Sequence, residues 1–291
     1  MWHFISEHIS ETIGELFVCE HVHMAQGGDS HTCYVMRDHK HRYFVKTRQY
    51  DDTQQLNHEA EGLVELEKTN TVHTPKVICH GMTKGEHPVM EYLVLHYIHF
   101  VEGSTSDYFK LGEQLAALHN VNAYTSYGWS HDNYIGRSIQ SNGRSADWSS
   151  FFAEYRIGSM LERLAENGVI VTDIDQFVHI VQQALHLHQP HPSLLHGDLW
   201  HGNIGFSKKS PMVFDPAVYV GDRETDIAMA ELFGGFPPSF YKGYTSLLPQ
   251  NSEYPQRKLI YQLYHILNHA LLFGAHYEAQ AKDMIARVKS Q

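Results

Sequence analysis

Three oxygen-bearing side chains stand close together late in the chain. Asp198 follows His196-Gly197, Asn203 comes five positions on, and Asp215 lies twelve positions after that, behind the short apolar run at residues 212–214. An acid, an amide and a second acid behind a short hairpin can converge on one point. Phosphoryl transfer by kinases uses this set: one carboxylate orients or deprotonates the attacking hydroxyl, while the amide and the other carboxylate hold Mg²⁺ on the nucleotide phosphates. Charge explains the residue types, because carboxylates beside phosphates repel unless a divalent cation lies between them, and Mg²⁺ takes oxygen ligands. Gly, Asp and Asn are also ordinary turn residues, so this spacing alone is weak. It gains weight upstream. Lys46 ends the apolar run Tyr43-Phe44-Val45, and Glu59 follows thirteen residues later. A strand lysine on phosphates with a helix glutamate orienting it is the other half of such a site.

Periodicity supplies the elements that must carry these groups. Trp2, Ile5, Ile9 and Ile13 predict a short amphipathic helix, and residues 17–23, 32–36 and 42–46 read as strands. A helix is expected over residues 54–69, where Leu56, Leu63 and Leu66 share a face, and strands over 76–80 and 91–95. Beyond about residue 101 the pattern turns helical: 107–119 (capped at Ser106 or Asp107), 148–167, 173–188, 257–273 and 276–289. Residues 124–147, rich in Ser, Gly, Asn and Asp, read as a long surface loop, and 193–195 and 212–214 as very short apolar strands. The expectation is an α+β chain with a small β-rich N-terminal lobe over residues 1–100 and a larger, mainly helical C-terminal lobe over residues 101–291.

Composition excludes several functions. The 291 residues hold 22 Lys+Arg against 33 Asp+Glu, a net charge of −11, with pI ≈ 6.1. That balance argues against nucleic-acid backbone binding. No run of 18 uncharged apolar residues exists, and no Lys or Arg precedes Arg37, so neither a membrane span nor a secretory signal is expected. Three cysteines without CxxC spacing suit a reducing cytoplasm. The 24 histidines include His21-x-His23, His39-x-His41 and His186-x-His188, but none of these pairs has a third ligand at zinc spacing. His58-Glu59 begins like H-E-x-x-H and lacks the second His. Oligomeric state is silent.

The motifs resemble the fructosamine (ketosamine) kinases, within the aminoglycoside-phosphotransferase-like branch of the protein-kinase-like fold. The branch signal is His196-Gly197-Asp198 with Asn203 and Asp215. The narrower signal is Asp198-Leu199-Trp200, then Phe214-Asp215-Pro216-Ala217-Val218-Tyr219, Gly221-Asp222-Arg223-Glu224-Thr225-Asp226-Ile227-Ala228-Met229 and Leu232-Phe233-Gly234-Gly235-Phe236. The resemblance covers nearly the whole chain. It implies a bilobal fold, ATP and Mg²⁺ as cofactors, Asp198 as proton acceptor, Asn203 and Asp215 as metal ligands, and Lys46 on the phosphates, paired with Glu59. It also implies a hinge at His96-Tyr97-Ile98 whose backbone bonds adenine, and a phosphate cover at the Gly27-Gly28 turn. Some members carry a chain-linking Cys after that glycine pair; Asp29 stands there in this chain, so that switch is not expected.

The implied acceptor is a hydroxyl of a ketoamine, such as the 3-hydroxyl of a fructosamine or ribulosamine on a glycated amine. Its phosphorylation labels the adduct for loss, a deglycation role. Asp222 and Glu224 could favour a cationic amine, or cap the nearby helix. Trp200 could stack on the sugar or pack its own loop, Asp226 fits a brace for the catalytic loop, and Phe233 and Phe236 fit a core. An aminoglycoside, choline or a free sugar as acceptor, or a nucleotide-binding regulator without catalysis, stay open.

Overall fold

The computed structural model describes residues 1–25, 31–85 and 87–291, and the chain divides into two units. The first comprises Met1–Glu102 and Gly205–Asp215; the second comprises Gly103–Ile204 and Pro216–Gln291.

In the first unit, α1 (Trp2–Ile13) stops at Gly14 in the left-handed conformation. Five antiparallel strands follow: β1 (His21–Met24), β2 (Thr32–Arg37), β3 (Arg42–Gln49) and, after α2 (Gln55–Lys68), β4 (Val77–Met82) and β5 (Met90–His96). They lie in the order β1-β2-β3-β5-β4. Strand β1 starts later than expected: the Phe17 amide donates to Ser10 Oγ of α1 at 2.9 Å, and pairing with β2 begins only where the Glu20 amide donates to Arg37 O at 3.0 Å.

Side chains alternate between sheet faces, and here the alternation sorts the core in two. Tyr43, Val45, Tyr92 and Val94 pack with Ile5 and Ile9 of α1. Leu93 and Leu95 pack with Leu56, Ala60 and Leu63 of α2, and Phe44 joins them. Lys46, next after Val45 and paired in register with Leu93, therefore projects on the α2 face. The hairpin Ile204–Phe206/Pro211–Val213 is tied to this unit: Val101 donates to Phe206 O at 2.7 Å, Val213 donates to His73 O at 2.9 Å, and Phe100 stacks on Phe214.

The second unit opens with α3 (Thr105–His119). It is capped by Ser104, whose side chain accepts from the Asp107 amide while Asp107 bonds back to Ser104. The sequence expectation placed Asp107 or Ser106 at the cap; the reciprocal pair instead makes Asp107 the third helical residue. Residues 148–166 form one helical run in three parts, α4 (Trp148–Phe151), a π-helical stretch (Phe152–Gly158) and α5 (Ser159–Glu166). After α6 (Ile174–Leu185) come α7 (Glu224–Leu232), α8 (Pro238–Leu247), α9 (Tyr254–Phe273) and α10 (Ala275–Lys289). Helix α8, which apolar periodicity did not flag, packs closely on α3.

The expected loop at 124–147 is instead structured. It contributes Tyr127–Gly128 and Arg144–Ser145 to a four-stranded sheet with Ser193–Leu195 and Tyr219–Gly221, and forms a second hairpin, Asn133–Ile135/Ser138–Gln140. Its polar composition hid the strands because several of its amides are buried and hydrogen-bonded to backbone, as Asn133 and Gln140 are.

Candidate active site

Lys46, Glu59 and Asp215 form one charged group in the first unit. Lys46 Nζ donates to Glu59 Oε1 at 2.8 Å and also bonds Asp215 Oδ1. Glu59 reaches it because it sits on the turn of α2 between Leu56 and Leu63, the residues that pin the helix to β5. Burial opposes the Lys46 charge, but the two carboxylates outweigh it and raise its pKa above the ordinary lysine value, so the ammonium is held charged. Burial also opposes ionisation of Asp215, and the Lys46 ammonium overcomes this, keeping the carboxyl below the usual range. Glu59 moves upward, since burial and the Asp215 charge together exceed the pull of Lys46. Asp215 has φ 54°, a left-handed backbone that a non-glycine residue adopts at some cost.

Asp198 and Asn203 form a second group, in the second unit. Asn203 Nδ2 donates to the Asp198 carbonyl at 2.8 Å and to its Oδ2 at 3.0 Å. The amide nitrogen is thus turned to Asp198, which makes Oδ1 the donor atom this residue would offer a cation. Asp226 supports the loop from below: its Oδ2 accepts the His196 amide at 2.8 Å and its Oδ1 the Gly197 amide at 2.9 Å. His119 Nε2 pairs with the same carboxylate at 3.1 Å. His119, at the end of α3, had no distinguishing signal in the sequence. Gly197 has φ 84°, and a Cβ there would lie 1.9 Å from the Ala217 carbonyl oxygen, so only glycine fits.

The remaining sequence candidates fall as follows. His96 ends β5 and donates its amide to Lys76 O at 2.8 Å, Tyr97 donates its amide to Arg42 O at 3.4 Å, and Ile98 follows outside regular structure. Gly27 and Gly28 lie outside the described residues. Trp200 is 38% exposed; its ring covers the Gly202 backbone and meets Phe233 edge-on. Phe236 is buried against Phe240, while Phe233 is half-buried beside His269.

Asp222 and Glu224, candidates for a substrate amine, are buried and held by protein groups. Asp222 Oδ2 accepts from Tyr261 OH at 2.6 Å and pairs with His188 Nε2 at 2.7 Å; Glu224 receives Arg257 through Nε at 2.7 Å and NH2 at 2.9 Å. Arg257 lies 33 positions downstream, a partner that local reading could not supply.

The fructosamine kinase family model matches residues 1–291. A protein of Vibrio parahaemolyticus named probable ketoamine kinase is 44% identical over the full length of both chains, and an Escherichia coli protein named probable ketoamine kinase YniA is 38% identical over 99% of both. A solved Haemophilus somnus structure assigned as a fructosamine-3-kinase superposes with TM-score 0.93 at 32% identity, covering 99% of this chain and 97% of that one. An aminoglycoside phosphotransferase at 12% identity shares the fold with TM-score 0.65. The architecture is therefore the α+β protein-kinase-like fold of that group. No helix among the described residues is long and apolar enough to cross a membrane. The chain belongs to the fructosamine kinase family, and it is a phosphotransferase with an alcohol group as acceptor.

Proposed function

We propose that this protein is an ATP-dependent ketoamine kinase, transferring the γ-phosphoryl group to a hydroxyl of a fructosamine- or ribulosamine-type adduct. The observation that carries the reading is the placement of one buried ammonium, Lys46, between two carboxylates, Glu59 and Asp215. A kinase needs that lysine charged and aimed at the α/β-phosphates, and Glu59 aims it. Asp198 accepts the acceptor O–H proton while the oxygen forms its bond to phosphorus and the bond to the ADP leaving oxygen breaks. Asn203 fixes the Asp198 carboxylate through its amide nitrogen, so the base is oriented before the acceptor arrives. Adenine recognition falls to the backbone around Ile98.

By donor type each residue suits Mg²⁺, Asn203 with a neutral oxygen and Asp215 with a carboxylate kept ionised, since that ion binds through few protein oxygens plus substrate phosphates. When bound, it offsets the phosphate charge. The family name and the relatives named ketoamine kinases support the acceptor class. With the adduct marked for loss from its amine, the role is deglycation.

The test is ADP release by the purified protein with ATP and a panel of ketoamines, free sugars, choline and aminoglycosides. The expected result is turnover on ketoamines alone, lost in a folded Asp198→Ala variant. Turnover confined to another acceptor class would replace the substrate, and nucleotide-dependent thermal stabilisation with no turnover would point to a regulatory protein.

A further inference from the structure

The segment at residues 133–142 holds a buried set of amides with every orientation specified. Gln140, with no exposed surface, donates through Nε2 to the Ala217 carbonyl at 3.0 Å and to Asn133 Oδ1 at 2.9 Å, while its Oε1 accepts from Tyr264 OH at 2.8 Å. Turning the amide over would set oxygen against oxygen at two contacts, so one rotamer is enforced. Asn133 Nδ2 donates to the Val218 carbonyl at 2.8 Å, and Asn142 Nδ2 to Asn133 Oδ1 at 2.8 Å. Behind them Arg156, also without exposed surface, donates to Asn142 Oδ1 at 2.8 Å and to the Ser141 carbonyl at 2.5 Å, with its guanidinium 3.9 Å from the Tyr219 ring centroid. Carbonyl dipoles and ring faces hold this cation.

All of this converges on Ala217, which lies two residues after Asp215. The Ala217 amide donates to the His196 carbonyl at 2.9 Å, and its carbonyl is the wall against which Gly197 packs. Asp198 is two residues beyond His196. We infer that Gln140 is a positioning residue for phosphoryl transfer, fixing Ala217 and, through the Ala217–His196 bond, the loop that carries Asp198. Asp226 holds the amides of that loop; Gln140 and Asn133 hold Ala217 and Val218, the segment to which the His196 carbonyl is bonded. The loop is thus gripped from both sides.

The experiment is Gln140→Met, which keeps the length and removes the amide, with Tyr264→Phe as a milder companion. Two readouts apply. The first is hydrogen exchange of peptides covering residues 195–200 and 216–219. The second is kcat and KM for ATP and a ketoamine, so this arm rests on the proposed function. In folded Gln140→Met, exchange in those two segments rises about tenfold, as expected for loss of a buried bond, and the rest of the chain is unchanged. The kcat falls on the order of 10- to 100-fold with both KM values held, as misplacement of a reacting group predicts. Adding Tyr264→Phe produces no further loss, because Tyr264 acts through Gln140.

Wild-type exchange in both segments, a kcat within twofold of wild type, or a rise in KM at constant kcat would overturn the inference. If Gln140→Met does not fold, Tyr264→Phe decides alone: faster exchange in the two segments supports the inference, and unchanged exchange overturns it. Should the wild-type protein not phosphorylate ketoamines, the functional reading fails while the exchange data still decide the role of Gln140.

Discussion

Replacing Asp226 by Asn changes one atom of a side chain that is 1% exposed and takes three hydrogen bonds, from the amides of His196 and Gly197 and from the His119 ring. Arg223 donates to Tyr244 OH at 3.0 Å, and that hydroxyl pairs with His119 Nδ1 at 2.9 Å, so the network assigns the ring proton to Nε2 and all three partners of Asp226 are donors. An asparagine must set its NH₂ against at least one of them. One charge-assisted bond of about 2 kcal/mol is lost, and the two that survive weaken by roughly 0.5–1 kcal/mol each because the acceptor is now neutral. The sum is about 3–4 kcal/mol.

If the loop absorbs this by moving, kcat falls by more than about 100-fold, since each 1.4 kcal/mol is a factor of ten. If the whole fold absorbs it, Tm drops by roughly 5–7 °C. Thermal unfolding and steady-state kinetics of Asp226→Asn measure both. The gap to wild type also depends on pH. Burial opposes ionisation of Asp226, but the His119 bond, the nearby imidazoles and the Gly197 amide together outweigh it and depress the carboxyl, so its stabilisation is present above the ordinary carboxylate range and is lost as pH falls through the depressed value. The variant and wild type therefore converge in acid. A variant with wild-type Tm and wild-type kcat at neutral pH would refute the reasoning, because neither channel would have registered the missing acceptor.

Two further outcomes follow from buried charges. Lys46→Met removes the ammonium between Glu59 and Asp215; catalysis should fall by at least about 100-fold, and the thermal shift on adding ATP should shrink, measured by differential scanning fluorimetry. His265, 3% exposed in α9, has its pKa pushed down to about 3, chiefly by burial. A histidine depressed in the folded state stabilises above the unfolded value near 6.5 and loses that contribution as pH falls toward about 3. Urea titrations should then show stability dropping by up to about 1.4 kcal/mol per pH unit below pH 6.5, with a smaller slope in His265→Leu.

The parts of the site readable from sequence are those set by short-range rules. Alternation along β3 puts Val45 and Lys46 on opposite faces, and helical spacing puts Glu59 beside Leu56 and Leu63, so the ammonium–carboxylate pairing follows from two local periods. The five-residue spacing of Asp198 and Asn203 was legible because both lie in one loop. What stayed hidden depends on distant partners. Asp222 and Glu224 look locally like helix-start acids, and only Tyr261 and Arg257 of α9 reveal them as buried structural charges. Asn133 and Gln140 sit in a stretch whose composition says loop, because a buried amide and a solvated one are the same letter. Helix α8 carries Gly243 where it crosses α3, and the apolar stripe that would announce a helix is interrupted there.

The π-helical stretch at Phe152–Gly158 holds more residues between α4 and α5 than regular winding requires. Wide winding of this kind amounts to an extra residue in an otherwise regular helix. Deleting one residue there would let α4 and α5 join in regular turns with their outer faces close to their present phase, because the wide turn had already absorbed that residue. Trp148, whose indole nitrogen donates to Tyr261 OH at 3.0 Å, and Met160, without exposed surface on the far side, would then both still face the core. Arg156, in the middle, would lose the carbonyls that surround it. Homologous chains one residue shorter in this run should therefore be ones that lack an arginine at the position of Arg156.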